Sequence, residues 1–233
     1  MRKPRVFARQ ITSELLLTGE EAHHLINVLR VRPGREVIVF DGSGLEAAAR
    51  VQRVEGGAVT LAVGPPAPAR REPPLEITLL VALLKGDKLA DVVRAGSELG
   101  VSRFVPLVTE RSVPREIGRT KIERLRRIAV EAAKQSGRTR PALVEEPRRL
   151  TDLEAASFGL LADPRASTPL STVSWPDAGA VALVSGPEGG FTEAEVEHLV
   201  SLGYGPVYLG PRILRAETAP LVLAAAAAAI RGL

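Results

Sequence analysis

The sequence has no cysteine, only three histidines and few aromatic residues. The lack of cysteine excludes disulfides and thiolate chemistry, and three histidines are too few to favour a zinc site. No apolar run approaches the roughly 18 residues that a membrane span requires. The basic start of the chain lacks the apolar core of a signal peptide. We therefore expect a cytoplasmic protein without a membrane partner.

Positive and negative charges are unevenly distributed along the chain. Residues 111–149 contain twelve Lys or Arg against five Asp or Glu, whereas residues 150–233 contain four against nine. A basic middle segment favours binding of a polyanion on one side of the molecule. The alternative is that these residues form the solvated face of a helix.

Residues 4–64 have the pattern of a small β-rich unit. Glu36–Phe40, Leu45–Val54 and Ala58–Val63 alternate apolar and polar residues and are joined by glycine-rich turns. This pattern predicts antiparallel strands of a compact barrel. Gly42-Ser43-Gly44 also fits the start of a dinucleotide-binding motif. That motif requires a helix to follow, whereas the next residues resemble a strand, so a hairpin is the better interpretation.

A proline-rich segment, Gly64–Pro74, separates this unit from the rest of the chain. Its prolines cannot donate to a sheet ladder or continue a helix, so we place a domain boundary near residue 72. From Leu75 onward, strand and helix patterns alternate, beginning with a strand over Ile77–Leu84 and a helix over Asp87–Leu99. This order predicts an α/β domain over residues 73–233, with a mostly parallel sheet and helices on both faces.

Two glycine-broken strand ends follow one another near the C-terminus. A buried strand over Val181–Val184 leads into Gly186-Pro187-Glu188-Gly189-Gly190, and a helix begins at Glu193 with Thr192 as its N-cap. A second strand over Val207–Leu209 is broken by Gly210-Pro211. Such turns expose backbone N–H groups to a ligand, and two of them can wall one pocket.

Charged residues distinguish these turns from ordinary ones. Glu188 lies in the first turn, and Arg212, Arg215 and Glu217 lie in the second, just before an alanine-rich helix predicted over Thr218–Ile230. Glycine and proline alone indicate only turns. The density of charge among apolar strands favours a functional site, although the spacing does not specify its chemistry.

The motifs GPEGGFTEAE, from Gly186, and LGPRILRAETA, from Leu209, closely resemble the signature of the RsmE-like 16S ribosomal RNA uracil-N3 methyltransferases. That family belongs to the SPOUT class, whose fold contains a trefoil knot. The resemblance implies S-adenosylmethionine (SAM) as cofactor. It also implies that the first unit, residues 1–72, is a PUA-like β-barrel RNA-binding domain and that residues 73–233 are a SPOUT methyltransferase domain.

The cofactor contacts that the resemblance implies lie in three loops. These residues are Leu161, Ala162, Gly186, Glu188, Gly189, Gly190, Leu209, Gly210, Arg212, Ile213 and Leu214. Glycine lets the main chain approach a ligand closely, and apolar side chains suit the walls of an adenine site.

RNA-binding residues are implied in both domains. HHLINVLRVRPG, from His23, resembles the N-terminal motif of the same family, which makes Arg9, His24, Arg30 and Arg32 candidates. Segments of the second domain that resemble the family add Lys85, Arg111 and Arg138. The expected partners are 16S ribosomal RNA or the small ribosomal subunit, and a second copy of the chain through the alanine-rich C-terminal helix.

Methylation of uracil N3 requires loss of the N3 proton and in-line placement of the methyl group. We expect Arg215 to stabilise negative charge on the base and Glu217 to act as a base or to orient Arg215. Alternatively, Glu217 only interacts with the helix dipole. N3 lies on the pairing edge, so the uridine must be unpaired or flipped, and the scarcity of aromatic residues favours recognition by arginine and shape. The residues also leave open a non-catalytic RNA-binding module and a nucleotide-binding oxidoreductase through Gly42-Ser43-Gly44.

Overall fold

The computed structural model describes residues 3–69, residue 72 and residues 75–229. The chain forms two compact units. Unit 1 comprises residues 1–72 together with 133–141, and unit 2 comprises residues 73–132 and 142–233. Residues 133–141 thus belong to the first unit. The single boundary near residue 72 that we expect from the sequence does not include this return of the chain.

Unit 1 is built on a six-stranded sheet in the order β1-β3-β4-β5-β2, with β6 beside β4. β1 pairs parallel with β3, and the other pairs are antiparallel. The strands are β1 (Arg5–Phe7), β2 (Glu14–Leu17), β3 (Glu36–Phe40), β4 (Leu45–Glu55), β5 (Ala58–Val63) and β6 (Ala67–Pro68). The three predicted antiparallel strands are confirmed. Gly42-Ser43-Gly44 lies in the hairpin between β3 and β4, and a strand follows it, so the dinucleotide-binding interpretation is wrong.

The predicted proline-rich linker contains a short strand. Within it, β6 pairs with the start of β4, where Ala67 lies opposite Glu46 and Pro68 opposite Leu45. Proline lacks a backbone N–H and is therefore confined to the edges of sheets. The pairing ties part of the segment to unit 1.

One helical segment interrupts the strands of unit 1. α1 (Gly19–His23) continues directly into a π-helix over His24–Val28. Arg30 follows in the left-handed region with φ of 50°, which is uncommon for a residue with a Cβ. Leu25 is buried in the core of the unit together with Val6 and Val37.

Residues 133–141 are tied to the rest of unit 1 by polar contacts. The Glu72 carboxylate accepts hydrogen bonds from the Arg138 guanidinium and from the backbone N–H groups of Thr139 and Arg140, at 2.9 to 3.1 Å. Lys134 forms an ion pair with Glu21. Buried charges are stable when they are paired and hydrogen-bonded in this way.

Unit 2 is built on a seven-stranded parallel sheet in the order β10-β8-β7-β12-β11-β13, with β9 beside β8. The strands are β7 (Leu75–Ala82), β8 (Arg103–Val108), β9 (Leu143–Val144), β10 (Arg148–Arg149), β11 (Gly159–Ala162), β12 (Gly179–Ser185) and β13 (Tyr204–Val207). The prediction of an α/β domain on a mostly parallel sheet is confirmed. The last strand ends before Tyr208, so its predicted position over residues 207–209 is wrong.

Helices cover both faces of this sheet. They are α2 (Lys88–Glu98), α3 (Arg119–Ser136), α4 (Glu193–Ser201) and α5 (Ala219–Ala229); Ile230, the predicted end of the last helix, lies outside the described residues. Alternate residues of β7 point to opposite faces: Leu79 packs in a cluster with Leu223 of α5, and Leu80 in a cluster with Leu199 of α4. Within the described residues, no helix has the length and apolarity to cross a membrane.

The predicted N-cap of α4 is confirmed. The Thr192 hydroxyl accepts a hydrogen bond from the Glu195 backbone N–H, and the Glu195 carboxylate accepts one from the Thr192 backbone N–H. This reciprocal capping box satisfies two otherwise unpaired donors at the helix start. It also fixes the path of the chain as it leaves the glycine-rich turn after β12.

Candidate functional site

A cavity of about 390 Å³ lies in unit 2, at the carboxyl ends of β11 and β12 and beside the segment that follows β13. Ligands bind at this end of the strands in open α/β sheets, and the volume lies within the range for small-molecule sites. Its walls come from four segments of the chain. The lining residues are Arg111, Ala162 to Arg165, Ser185 to Phe191, Leu209, Gly210, Arg212 to Leu214, Ala216 and Ala219.

The structure brings ten of the eleven predicted cofactor-contacting residues to this cavity. Leu161 is the exception, because its side chain is fully buried in the core on the α4 face of the sheet. The residue after it, Ala162, lines the cavity at the end of β11. Side chains alternate across a strand, so the side chains of these two adjacent residues point to different surroundings.

Glycines shape two walls of the cavity. Gly210 has φ of +123° and Gly190 has φ of +66°, conformations that other residues rarely adopt. A Cβ on Gly186 would lie 3.0 Å from the Phe191 ring, and one on Gly189 would lie 3.2 Å from the Arg111 Cβ. Gly210 and Gly190 are therefore needed for their backbone conformation, whereas Gly186 and Gly189 are needed because a side chain there would crowd its neighbours.

Arg111 holds the turn after β12 in place. Its guanidinium donates to the carbonyl oxygen of Gly189 at 3.1 Å and lies 3.4 Å from that of Phe191. Next to it, the Glu110 backbone N–H donates to the Glu195 carboxylate at 2.7 Å. The loop after β8 is thus joined to the glycine-rich turn and to α4. Arg111, predicted to bind RNA, lies in the wall of the cavity.

Asp163 and Arg165 form an ion pair in the cavity wall that the sequence patterns did not single out. Both guanidinium contacts to the Asp163 carboxylate are hydrogen bonds, of 3.0 and 3.1 Å, and the Arg165 backbone N–H donates as well, at 2.9 Å. Burial alone would raise the pKa of Asp163, but the hydrogen bonds from Arg165 outweigh it and lower the pKa. The carboxylate is therefore ionised at neutral pH. The sequence Asp-Pro-Arg is common after strands, so it does not by itself predict this ion pair.

Four charged side chains of alternating sign lie beside the cavity. The Lys88 ammonium is 2.9 Å from Glu188 and 3.4 Å from Glu217, and the Arg215 guanidinium is 4.0 Å from the other oxygen of Glu217. The predicted catalytic pair, Arg215 and Glu217, thus lies together. The Arg215 side chain is 85% exposed, whereas that of Glu217 is 20% exposed. Arg215 can therefore reach a substrate, and Glu217 is held against the protein.

Lys88 is a further site residue that sequence reasoning missed. The hydrogen bond to Glu188 raises the pKa of Lys88, with a smaller contribution from Glu217. Burial would raise the pKa of Glu188, but the hydrogen bond from Lys88 lowers it. A signal was present in the sequence, because a lysine in the first turn of a helix interacts unfavourably with the helix dipole.

The predicted RNA-binding residues fall into two groups. Arg9, Arg30 and Arg32 are exposed, and their side chains form no ion pair with any residue that the structure describes. His24 is partly buried at the start of the π-helix, and Lys85 is exposed. Arg138 is only 4% exposed and pairs with Glu72. The structure thus gives Arg138 a structural contact and leaves Arg9, Arg30 and Arg32 available to phosphates.

Much of the charge on α3 is neutralised within the protein. Arg119 pairs with Glu123, Arg124 with Asp87 and Arg126 with Glu146. These surface pairs agree with the alternative of a solvated helix face for the basic segment. Among the described residues, no cluster of histidine and carboxylate side chains has the arrangement of a metal site.

The two units match known families of RNA-modifying proteins. Residues 71–228 match the family described as the RNA methyltransferase domain, and residues 17–63 match the RNA methyltransferase PUA domain. The first match covers more than half of the chain. The protein belongs to the RNA methyltransferase family, and this membership agrees with a ligand cavity at the carboxyl ends of a parallel sheet.

Individual proteins of known name and structure are similar to this chain over most of its length. The chain is 36% identical to Ribosomal RNA small subunit methyltransferase E of Bacillus subtilis, over 88% of this chain and 86% of the relative. The crystal structure of the Neisseria gonorrhoeae protein of the same name, bound to S-adenosyl methionine, superposes with a TM-score of 0.90 at 31% identity, covering 99% of this chain and 98% of that one. A methyltransferase of Legionella pneumophila with bound SAM gives the same TM-score and coverage at 29% identity.

Proposed function

We propose that the protein transfers the methyl group of SAM to N3 of a uridine in 16S ribosomal RNA. The observation that carries the proposal is the cavity formed by the two glycine-rich segments, with the exposed Arg215 beside it. The relatives named above, which match over most of their lengths, support the substrate and the cofactor.

The residues of the cavity fit SAM. Glycines 186, 189, 190 and 210 let the main chain approach a ligand, and Leu209, Ile213 and Leu214 supply apolar surface for an adenine ring. We propose that these residues, with Ala162, Glu188 and Arg212, hold the cofactor. Leu161 contributes by supporting the end of β11 from within the core. When bound, SAM supplies an electrophilic methyl group on a sulfonium.

Arg215 and Glu217 act on the uracil ring in this proposal. Loss of the N3 proton leaves negative charge on the base, which the exposed Arg215 guanidinium stabilises. Glu217 accepts the proton or fixes Arg215, from which its carboxylate lies 4.0 Å away. The position of Glu217 just before α5 also agrees with a purely dipolar role. A kinetic comparison of Glu217→Gln with Glu217→Ala tests these alternatives.

The two units divide the work. Unit 1 matches a PUA domain and carries Arg9, Arg30 and Arg32, which form no ion pair with the described residues, so we propose that it binds RNA through phosphates, with His24 beside them. Lys85 and Arg111 contribute from the second unit.

The trefoil knot of the SPOUT class is part of the proposal. Tracing the chain through the loops after β11 and β12 in a crystal structure tests it.

A homodimer is also part of the proposal. Every residue of α5 is apolar, yet Leu221, Val222, Ala225 and Ala226 are only partly buried. A helix that is apolar all round is normally covered on all sides, and a second copy of α5 would cover this face. Light scattering should give twice the 24.8 kDa of the chain, and Val222→Glu should reduce that mass to the monomer.

One experiment tests the central proposal. The purified protein is titrated with SAM by calorimetry and then incubated with radiolabelled SAM and either 16S ribosomal RNA or small subunits, and the product is mapped by reverse transcription. N3 methylation blocks base pairing and should give one stop, which Arg215→Ala should reduce strongly. Binding of RNA without binding of SAM would instead favour a non-catalytic RNA-binding module.

A further inference from the structure

Lys88 joins three segments at the edge of the cavity. It lies at the start of α2, Glu188 lies in the turn after β12, and Glu217 lies just before α5. One ammonium contacts both carboxylates, at 2.9 and 3.4 Å. No two of these segments are adjacent in the sequence, so the Lys88 ammonium links parts of the chain that are far apart in sequence.

The contact differs from an ordinary surface ion pair. A cation in the first turn of a helix opposes the helix dipole, so its position costs stability unless nearby anions compensate for it. The Glu188 oxygen that Lys88 contacts also lies 3.4 Å from the Lys85 backbone nitrogen, which donates to it. Two donors, one from the loop before α2 and one from the first residue of α2, thus converge on this carboxylate.

Glu217 depends on Lys88 more than on Arg215. The Glu217 oxygen nearest Lys88 is buried and accepts no hydrogen bond from any described residue, which makes the Lys88 ammonium, at 3.4 Å, its stabilising charge. Arg215 approaches the other oxygen only to 4.0 Å. Without Lys88, a buried carboxylate oxygen would be left without compensation, and Glu217 would rotate towards solvent or Arg215.

We propose that Lys88 is a positioning residue of the methyl-transfer site, which fixes Glu188 and Glu217 relative to one another and thereby leaves the Arg215 guanidinium free to contact the uracil. The inference rests on the proposed function, because it concerns how the same site is arranged. It predicts that Lys88 affects turnover more than binding of either substrate. Interactions that hold groups in a reactive geometry act mainly on kcat.

The charges around Lys88 determine the expected pH dependence. Glu188 and Glu217 face the ammonium from the two other segments, Arg215 lies beyond Glu217, and Asp91 follows on the same helix. Lys88 holds the pKa of Glu188 below its usual value although burial opposes this. Removing the ammonium should therefore raise the pKa of Glu188, so the acid limb of the kcat profile should move to higher pH.

The test uses Lys88→Met, Lys88→Arg and the control Arg94→Met in the full-length protein. Methionine keeps the apolar stem without the charge, and arginine restores a cation that can contact two carboxylates. Arg94 lies on the same helix, and among the described residues its side chain pairs with Asp91. Melting temperatures of all variants are measured first, so that a general loss of fold is recognised.

We expect Lys88→Met to lower kcat about 10- to 100-fold and to change the KM for RNA by less than about threefold. The Kd for SAM, which Glu188 contacts in the proposed function, should rise by a smaller factor than the one by which kcat falls. Lys88→Arg should recover most of the kcat, and Arg94→Met should match the wild type. A ¹³C NMR titration of the Glu188 carboxyl provides a readout that does not depend on activity. Its pKa should rise in Lys88→Met and not in Lys88→Arg.

The outcomes separate this inference from the proposed function. Wild-type kcat and an unshifted pH profile in Lys88→Met, with an active wild type, would overturn the positioning role. An inactive wild type would overturn the proposed function and the role of Lys88 in transfer with it. In that case the NMR titration still reports whether Lys88 holds the carboxylate, and an unchanged pKa in Lys88→Met would overturn the remaining structural claim.

Discussion

The Arg111 guanidinium donates to the carbonyl oxygen of Gly189 at 3.1 Å and so joins the loop after β8 to the turn after β12. Removing it with Arg111→Ala should loosen the wall of the cavity. Because a charge-assisted hydrogen bond contributes about 1.5–3 kcal/mol, we expect SAM affinity to fall by about tenfold or more. Calorimetry measures this loss, and Arg119→Ala, a substitution of an exposed arginine of α3, is the control.

If Arg111 instead contacts RNA alone, the result would be different. SAM affinity would stay at the wild-type value in Arg111→Ala, and only the KM for RNA would rise. The comparison therefore separates the position that the structure gives Arg111 from the role predicted from the sequence.

Gly210 should be intolerant of any side chain. Its φ of +123° is strained for other residues even though a Cβ there would meet no atom within 4 Å. We expect Gly210→Ala to cost about 1–3 kcal/mol through backbone strain and to weaken SAM binding about tenfold or more. Gly118→Ala is the matched control, because that glycine has open space and no positive φ. Equal SAM affinity in both variants would contradict the assigned role of Gly210.

Unpaired arginines should matter for RNA, and paired ones should not. Arg32 of unit 1 is exposed with no ion pair among the described residues, whereas Arg124 of α3 pairs with Asp87 at 2.7 Å. Replacing a cation that contacts phosphate lowers the slope of log K against log salt by about one. We expect this change for Arg32→Ala and none for Arg124→Ala, measured by RNA binding at several salt concentrations. A reduced slope for Arg124→Ala would show that α3 also binds RNA.

The Asp163–Arg165 pair should make stability depend on acid pH. The pKa of Asp163 is lowered in the folded state, so its contribution is fully present above the ordinary carboxyl pKa of about 3.9 and is lost as pH falls through the folded value. Because Arg165 is about half exposed, the contribution should be only about 1 kcal/mol. Urea unfolding should show Asp163→Asn less stable than wild type at neutral pH, with the difference shrinking as the pH falls below about 4 and vanishing below the folded pKa of Asp163.

The variant Arg165→Met tests whether the Arg165 guanidinium causes this pH dependence of stability. It removes the guanidinium that lowers the pKa of Asp163 while leaving the carboxylate in place. In Arg165→Met, most of the loss of folding stability that the wild type shows as the pH falls into the acid range should therefore be absent. A wild-type pH profile in Arg165→Met would mean that another group is responsible.

Local features of the fold were predictable because short-range chemistry determines them. The hairpin at Gly42-Ser43-Gly44 follows from alternation and turn residues, and the capping box at Thr192 and Glu195 follows from a four-residue pattern. The turns after β12 and before α5 were located from glycine and proline. Each of these signals lies within one stretch of sequence.

The remaining features depend on contacts between distant segments. The role of Lys88 depends on Glu188, 100 positions away, and that of Arg138 on Glu72, 66 positions away. Leu161 and Ala162 were predicted together as cofactor contacts, and the pleat of β11 places the Leu161 side chain in the core. The start of β13 at Tyr204 is set by its register with Gly159 on β11, which no local pattern encodes.

Residues 133–141 have a consequence for the order in which the protein is made. Arg138, Thr139 and Arg140 are the partners of Glu72, and Lys134 is the partner of Glu21. During synthesis these partners leave the ribosome long after the strands of unit 1. The first part of the chain to be translated should therefore be among the last to reach full stability, and a gene fragment that stops at residue 72 should yield an incomplete unit.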